Sequence, residues 1–130
     1  MAANTSPIFE LTPIAKGNTF TSADTTALKT IFTAGTFGSR VDQISIETDD
    51  TAAVNLAFYI NDGATDFYIG VVNVPIGSGY TTVPLVDGVL TLGPTLGYIV
   101  VPAVYLLKAN CVATMTAAKT TTVLALGGDF

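Results

Sequence analysis

The chain has 130 residues, of which 49% are hydrophobic and only 12% are charged, whereas about 25% charged residues are usual in soluble proteins. This length favours a single domain, and this hydrophobic content excludes a chain that is disordered for lack of apolar residues. Ten acidic and five basic residues give a net charge of −5. We therefore expect no nucleic-acid partner, because binding to phosphates requires a cationic surface.

The longest apolar run, residues 97–107, is interrupted by Pro102 and is shorter than the roughly 20 residues of a membrane-spanning helix. The first residues contain no basic segment followed by an apolar stretch, which is the pattern of a secretory signal. We therefore expect no membrane partner and synthesis in the cytoplasm.

Apolar residues recur with a period of two along most of the chain, which predicts an all-β protein. A single helical turn at 22–28, capped by Ser22 or Asp24, is the helical candidate. Short strands separated by turn residues predict one antiparallel β-sandwich over residues 1–130, jelly-roll-like, with about 8 to 10 strands. In chain order, the predicted strands are 8–11, 19–21, 28–33, 41–48, 53–60, 66–74, 81–85, 89–92, 98–101, 105–114 and 121–126.

The strand at 53–60 has the clearest alternation, with a buried face and a more polar face. Asn61-Asp62-Gly63 follows it, and this composition is typical of a tight hairpin turn that returns the chain into the strand at 66–74. The predicted buried face consists of Val54, Leu56, Phe58 and Ile60, and the other face of Ala53, Asn55, Ala57 and Tyr59.

Few residues of this chain are suited to catalysis or metal binding. It has no histidine and one cysteine, so a disulfide framework and a cysteine-based zinc site are excluded. Cys111 lacks a histidine base and is expected to pack in the core. Two groups of acidic residues could act in acid–base chemistry or bind Ca²⁺, but solvated turns account for them better. These groups are Glu47, Asp49 and Asp50, and Asp62 and Asp66.

Aromatic residues offer a further alternative, because sugars stack on exposed rings. The chain has no tryptophan, and most of these rings are expected in the core or at a subunit interface. The candidates are Tyr59, Phe67, Tyr68, Tyr80, Tyr98 and Tyr105. We expect no catalytic residue, no cofactor and no metal.

An ordered set of short segments nevertheless resembles a family of small proteins encoded beside the major capsid protein in tailed bacteriophages and prophages. The closing Gly-Gly-Asp-aromatic sequence is the most specific of them. Val104 departs from the pattern, because a small residue or glycine is expected there after Pro102-Ala103. The segments are residues 7–13, 32–35 leading into 38–44, 58–63, 102–109 with this departure, and 124–130.

The resemblance implies a capsid decoration, or cement, protein: a non-enzymatic β-sandwich that binds the outer face of the capsid and stabilises its lattice. It implies a location on the virion exterior, with the major capsid protein and copies of the chain itself, as a dimer or trimer, as partners. The alternatives are a receptor- or glycan-binding sandwich of a head fibre or tail, and a tail or connector protein.

We expect partner contacts at an N-terminal arm, residues 1–13, and at the tail, residues 127–130. The low content of charged residues agrees with a subunit whose surface is partly covered by neighbours. The candidate contact residues are Ile8, Phe9, Leu11, Pro13, Asp129 and Phe130.

Overall fold

A computed structural model describes residues 10–80, 82–92 and 97–130. Over these residues the chain is an all-β sandwich of two antiparallel sheets, as the alternating pattern predicted. A 3₁₀ turn at Ser22–Asp24 and a short helix, α1 (Gly88–Leu92), accompany the strands. The strands are β1 (Thr12–Thr21), β2 (Lys29–Thr33), β3 (Ser39–Thr48), β4 (Val54–Asn61), β5 (Asp66–Val74), β6 (Val86–Asp87), β7 (Ile99–Val101), β8 (Leu106–Cys111) and β9 (Thr120–Asp129).

The strand pairings of the two sheets are nested along the chain. One sheet has the order β1-β9-β3-β6, with β7 also paired to β3, and the other has the order β2-β8-β4-β5. Thus β1 pairs with β9, β2 with β8, β3 with β6 and β7, and β4 with β5. The pairing is nested because the first strand pairs with the last, the second pairs with the next to last, and β4 and β5 form the innermost pair.

Large apolar side chains from both sheets fill the space between them. Phe20, Phe32 and Phe58 are fully buried. Burial of each such side chain contributes about 1.5–3 kcal/mol, and these contacts hold the two sheets together.

Val54 and Leu56 are also buried, so the predicted inward face of β4 is confirmed as far as Phe58. Ile60 is only partly buried, and Ala57, predicted on the more polar face, is 3% exposed.

Cys111 lies at the end of β8 with 1% of its surface exposed, as predicted for a core residue. Burial, together with the charges of Asp24 and Asp50, raises the pKa of its thiol to about 11. The thiol is therefore neutral at physiological pH and contributes packing to the core.

The strand predicted at 89–92 is wrong, because this segment forms α1. The Asp87 carboxylate accepts a hydrogen bond from the Val89 N–H at 2.9 Å and so caps the first turn. Leu92 extends over Gly70 of β5, where a Cβ would lie 2.7 Å from its Cδ2 atom. A short apolar run fits a buried helix as well as a strand, and the sequence pattern could not separate the two.

Two other predicted strands differ from the structure. Residues 82–85 form turns and irregular backbone, while Thr81 lies outside the described residues. For the strand predicted at 8–11, residues 8 and 9 also lie outside the described residues, and the first described strand begins at Thr12.

The helical turn predicted at 22–28 exists but is shorter, at Ser22–Asp24. Asp24 stabilises it from its last position, where the carboxylate accepts the Thr21 N–H at 2.8 Å and lies 3.2 Å from the Lys29 ammonium. This is the backward-reaching half of a capping box. Within the described ranges, no helix is long and apolar enough to cross a membrane.

The predicted hairpin between β4 and β5 is confirmed in detail. Gly63 has a φ of +102°, and its N–H donates to the Asn61 side chain at 2.7 Å. The Asp62 carboxylate accepts the N–H groups of Ala64 and Thr65 at 2.9 and 2.8 Å. The polar side chains of this turn therefore satisfy its own backbone.

Asp50 was predicted to lie in a solvated turn, and this prediction is wrong because only 2% of its surface is exposed. One carboxylate oxygen accepts the Ala52 N–H at 2.9 Å and the other accepts the Thr116 N–H at 3.0 Å. Asp50 therefore joins the loop after β3 to the loop before β9. Burial alone would raise the pKa of Asp50, but the hydrogen bonds from Thr116 and Ala52 lower it below the ordinary value.

We predict that Asp50→Ala lowers the free energy of unfolding by about 2–4 kcal/mol, because two N–H groups in the buried loop lose their acceptor. Asp62→Ala is the matched control, since Asp62 also accepts two N–H groups but lies in the exposed hairpin, where water replaces the lost acceptor, and we expect a clearly smaller loss. Urea titration of both variants measures the difference. Equal losses would contradict a special role for the buried carboxylate.

The same contact predicts a pH dependence. The pKa of Asp50 is lower in the folded state than its ordinary value of 3.8, so the ionised carboxylate stabilises the protein at pH values above 3.8. This contribution disappears as the pH falls through the folded-state pKa. The unfolding free energy of the wild-type chain should therefore fall more steeply with acid below about pH 4 than that of Asp50→Ala.

Candidate partner-contact surface

The two ends of the described chain meet at one end of the sandwich, which we call the terminal end. It consists of residues 10–12, the loop 34–38, the turn 102–105 and Phe130. The Leu11 N–H donates to the Asp129 carbonyl at 2.8 Å, and the Phe130 N–H donates to the Gly38 carbonyl at 3.1 Å. Tight backbone contacts therefore bring the start of β1, the end of β9 and the loop before β3 together.

The tail predicted to contact a partner belongs to the centre of its own sheet. β9 continues to Asp129 and lies between β1 and β3. Asp129 is opposite Thr12 in β1 and Ser39 in β3, and Pro13 is opposite Gly128. Four of the six candidate contact residues, Leu11, Pro13, Asp129 and Phe130, thus lie close together, while Ile8 and Phe9 fall outside the described residues. Contact of these six with a partner stays a prediction.

Each residue of the Gly-Gly-Asp sequence has a local structural role. A Cβ on Gly127 would overlap the Arg40 carbonyl oxygen of β3, so only glycine permits this close strand approach. A Cβ on Gly128 would lie 2.8 Å from a Glu10 carboxylate oxygen. The Asp129 carboxylate accepts a hydrogen bond from the Ser39 hydroxyl, which in turn accepts the Gly35 N–H at 2.9 Å.

Glu10 crosses over Gly128 to reach Arg40 on the outer face of the sheet. The Arg40 Nε lies 2.7 Å from a Glu10 oxygen and 2.9 Å from an Asp42 oxygen, and the guanidinium lies 5.1 Å from the centre of the Tyr98 ring. Burial raises the pKa of Glu10, and the adjacent Asp42 raises it further, against the lowering effect of Arg40. One arginine thus holds two carboxylates and fixes the chain just before β1.

Several of the segments that carry the resemblance therefore meet at the terminal end. Segments 32–35, 38–44 and 124–130 all contribute to it, and Glu10 comes from the opening segment. Their glycines and charged residues serve intramolecular packing. Sequence reasoning missed this because the pairing of β9 with β3 joins residues about 90 positions apart, as in the Ser39–Asp129 hydrogen bond.

Three large apolar side chains project from the terminal end. Leu11 and Phe37 are each 79% exposed, and Val104 is 72% exposed. Phe37 was not among the predicted contact residues, although its position in a Gly-rich loop between two strands indicated an exposed site. The other exposed large apolar side chains of the described residues have smaller exposed fractions, of at most 60%.

Val104 has an unusual backbone conformation for a β-branched residue. The Tyr105 N–H donates to the Pro102 carbonyl at 3.0 Å and closes a four-residue turn, in which Val104 is third and has a φ of +59°. A type II turn requires this positive φ, which glycine adopts without strain. The departure of Val104 from the expected Pro-Ala-Gly therefore places an exposed apolar side chain on a strained backbone.

The aromatic candidates for a glycan site are dispersed. Tyr59 and Tyr68 form an edge-to-face pair with ring centres 5.7 Å apart, and Phe67 is opposite Ile60 in the adjacent register position. Tyr80 lies in the turns after β5, at the opposite end of the sandwich. Tyr59, Phe67 and Tyr80 therefore do not form the shared platform that glycan binding would require.

Most carboxylates of the described chain accept backbone hydrogen bonds or pair with a cation. Asp49 accepts the Thr120 N–H at 2.8 Å, and Asp66 accepts the Asn61 amide at 2.6 Å. No three His, Cys, Asp or Glu side chains among the described residues are grouped so that they could hold a metal ion. These acidic residues account for the local geometry of loops and turns.

Comparison with known proteins gives no relative from which a function could be transferred. No protein-family model matches the chain, and no curated protein matches its sequence.

We predict that Gly127→Ala destabilises the protein by about 3 kcal/mol or more, because the new methyl group forces β9 away from β3 at the centre of the sheet. Gly77→Ala is the control: its Cβ would meet no atom within 4 Å, and only its φ of +67° makes alanine unfavourable, by about 1–2 kcal/mol. Thermal unfolding of both variants tests the prediction, and it would fail if Gly127→Ala were the milder change.

Proposed function

We propose that this chain is a non-enzymatic structural protein of a tailed-phage virion: a capsid decoration, or cement, protein that binds the outer capsid surface and stabilises the head lattice. The nested strand order leads us to assign the sandwich to the jelly-roll class, which also occurs in viral capsid proteins. The observation that carries the proposal is the apolar terminal end. Its three exposed side chains, Leu11, Phe37 and Val104, lie on neighbouring segments of this end.

The rigidity of this end supports a role in binding. Phe37 precedes Gly38, and a Cβ on Gly38 would lie 3.3 Å from the Val101 carbonyl and 3.6 Å from the Phe130 ring. The Val104 N–H donates to the Gly35 carbonyl at 3.4 Å. The exposed side chains therefore project from loops that are fixed against each other, and little conformational entropy is lost when a partner covers them.

The strain at Val104 supports the same role. A non-glycine residue in the left-handed region costs about 1–2 kcal/mol, and a 72% exposed side chain recovers little of this by burial within the chain. Strained conformations are concentrated at sites of function. Covering Val104 with an apolar partner surface would give the side chain the burial that it lacks here.

Binding to a capsid also explains how modest contacts could suffice. A decoration protein occupies many equivalent sites on one particle, and each copy that contacts adjacent capsid subunits links them, so that many small contributions add up over the lattice. The three exposed side chains offer only a small apolar area per copy, which is enough when combined with contacts by further residues.

We predict that Val104→Gly stabilises the isolated protein by about 0.5–1 kcal/mol, because glycine relieves the strain, while reducing its occupancy on capsid particles, because an apolar contact is lost. Thr25→Gly is the matched control: Thr25 has a φ of +51° but follows the 3₁₀ turn at the opposite end of the sandwich. This variant should also be stabilised but should bind particles like the wild-type chain.

Differential scanning calorimetry measures the stability of each variant, and co-sedimentation with undecorated capsids measures occupancy. A rise in Tm of about 2–3 °C is expected for both variants, with weaker sedimentation for Val104→Gly alone. Wild-type occupancy by Val104→Gly would contradict a contact at the terminal end. Failure of the wild-type chain to bind any capsid would contradict the proposed function.

A further inference from the structure

A groove of about 240 Å³ lies on the outer face of the β1-β9-β3-β6 sheet, far from the corner around Arg40. Two cross-strand pairs form its floor, Ser45 opposite Leu124 and Glu47 opposite Thr122. Leu85, which precedes β6 and is 54% exposed, lines the groove from outside this strand pair, and the 39% exposed side chain of Leu124 adds a second apolar surface. The groove thus has apolar walls, two hydroxyl groups and a single carboxylate.

Glu47 differs from the acidic residues described above. Its carboxylate accepts no hydrogen bond and has no cation within 4 Å among the described residues, whereas Asp24 pairs with Lys29. Among the residues that the structure describes, no lysine or arginine lines the groove. The Ser45 hydroxyl oxygen accepts the Gln43 amide at 2.9 Å, which leaves its second lone pair available to accept a hydrogen bond from a cationic group. The groove therefore offers a negative charge and hydrogen-bonding groups at the base of apolar walls.

We propose that this groove receives a lysine side chain of the partner protein, with the ammonium group at Glu47 and the methylene groups along Leu85 and Leu124. The volume is below the roughly 300–1,000 Å³ of small-molecule pockets and suits one extended side chain. A lysine has the required form, because its four-carbon stem packs on apolar surface while its ammonium group donates three hydrogen bonds. The chain's net charge of −5 also favours a cationic occupant.

This inference rests on the proposed function, because it names the chemistry of the surface to which the protein binds. The groove and the terminal end are separate contact sites, and either can be tested without the other. A lysine in the groove would fix the orientation of the bound subunit, since a charge pair adds selectivity and register to apolar contacts.

The experiment is a titration of the ¹⁵N-labelled chain at neutral pH with n-butylammonium chloride, which has the stem and charge of a lysine side chain. Sodium chloride keeps the ionic strength constant, and n-butanol is the neutral probe. We expect saturable amide shifts at Ser45, Glu47, Thr122 and Leu124 with butylammonium and much smaller shifts with butanol. Glu47→Gln should bind butylammonium about two- to fivefold more weakly, as expected for a partly exposed ion pair.

Asp42→Asn is the control, because it removes one negative charge from the same sheet face outside the groove and should leave the affinity unchanged. The inference is overturned if butylammonium gives no saturable shifts, if butanol gives the same shifts, or if Asp42→Asn and Glu47→Gln weaken binding equally. Glu47→Gln should also reduce occupancy on capsid particles. If the wild-type chain binds no particle, the proposed function fails, whereas the titration still decides whether the groove accepts an alkylammonium group.

Discussion

The fold depends on the insertion of β9 between β1 and β3. This last strand makes ladders of hydrogen bonds on both sides and supplies the buried Val123 and Ala125 to the core. Without it, β1 would have no partner in its sheet, and β3 would keep only the short strands β6 and β7. Because β9 completes the first sheet, the contacts that join β1, β9 and β3 form only after strands far apart along the chain have met, and such non-local pairing is typical of slowly folding β proteins.

The same insertion explains why the ends of the described chain are so highly specified. Gly127 permits contact with the Arg40 carbonyl, and Gly128 leaves space for Glu10. Two adjacent positions therefore require the absence of a side chain, each for a different reason. Asp129 then anchors the loop at Gly35 through Ser39. The residues at both described ends and in the segment 32–44 therefore build one end of the sandwich together, and packing explains their identity.

The sequence predicted those features that depend on neighbouring residues. The alternation from Val54 to Leu56 in β4 and the Asn61-Asp62-Gly63 turn specify their own geometry, and both are confirmed. Long-range features could not be predicted: Asp50 is buried because Thr116, 66 residues away, binds it, and α1 exists because Leu92 packs over Gly70. The exposure of Phe37 and the geometry of the groove at Glu47 likewise depend on which loops and strands become neighbours.

The low content of charged residues has a further consequence for the surface. Many of the ten acidic residues accept hydrogen bonds from the chain itself, as Asp50 does in its loop and Asp62 does in the hairpin. Fewer of their oxygens therefore bind water than the number of acidic residues suggests. Apolar groups consequently occupy places that charges cover in most soluble domains. On the terminal end they stand beside rigid loops, and in the groove they surround Glu47. Contiguous exposed apolar groups of this kind are typical of surfaces that another protein covers, which is the role that the proposed function gives them.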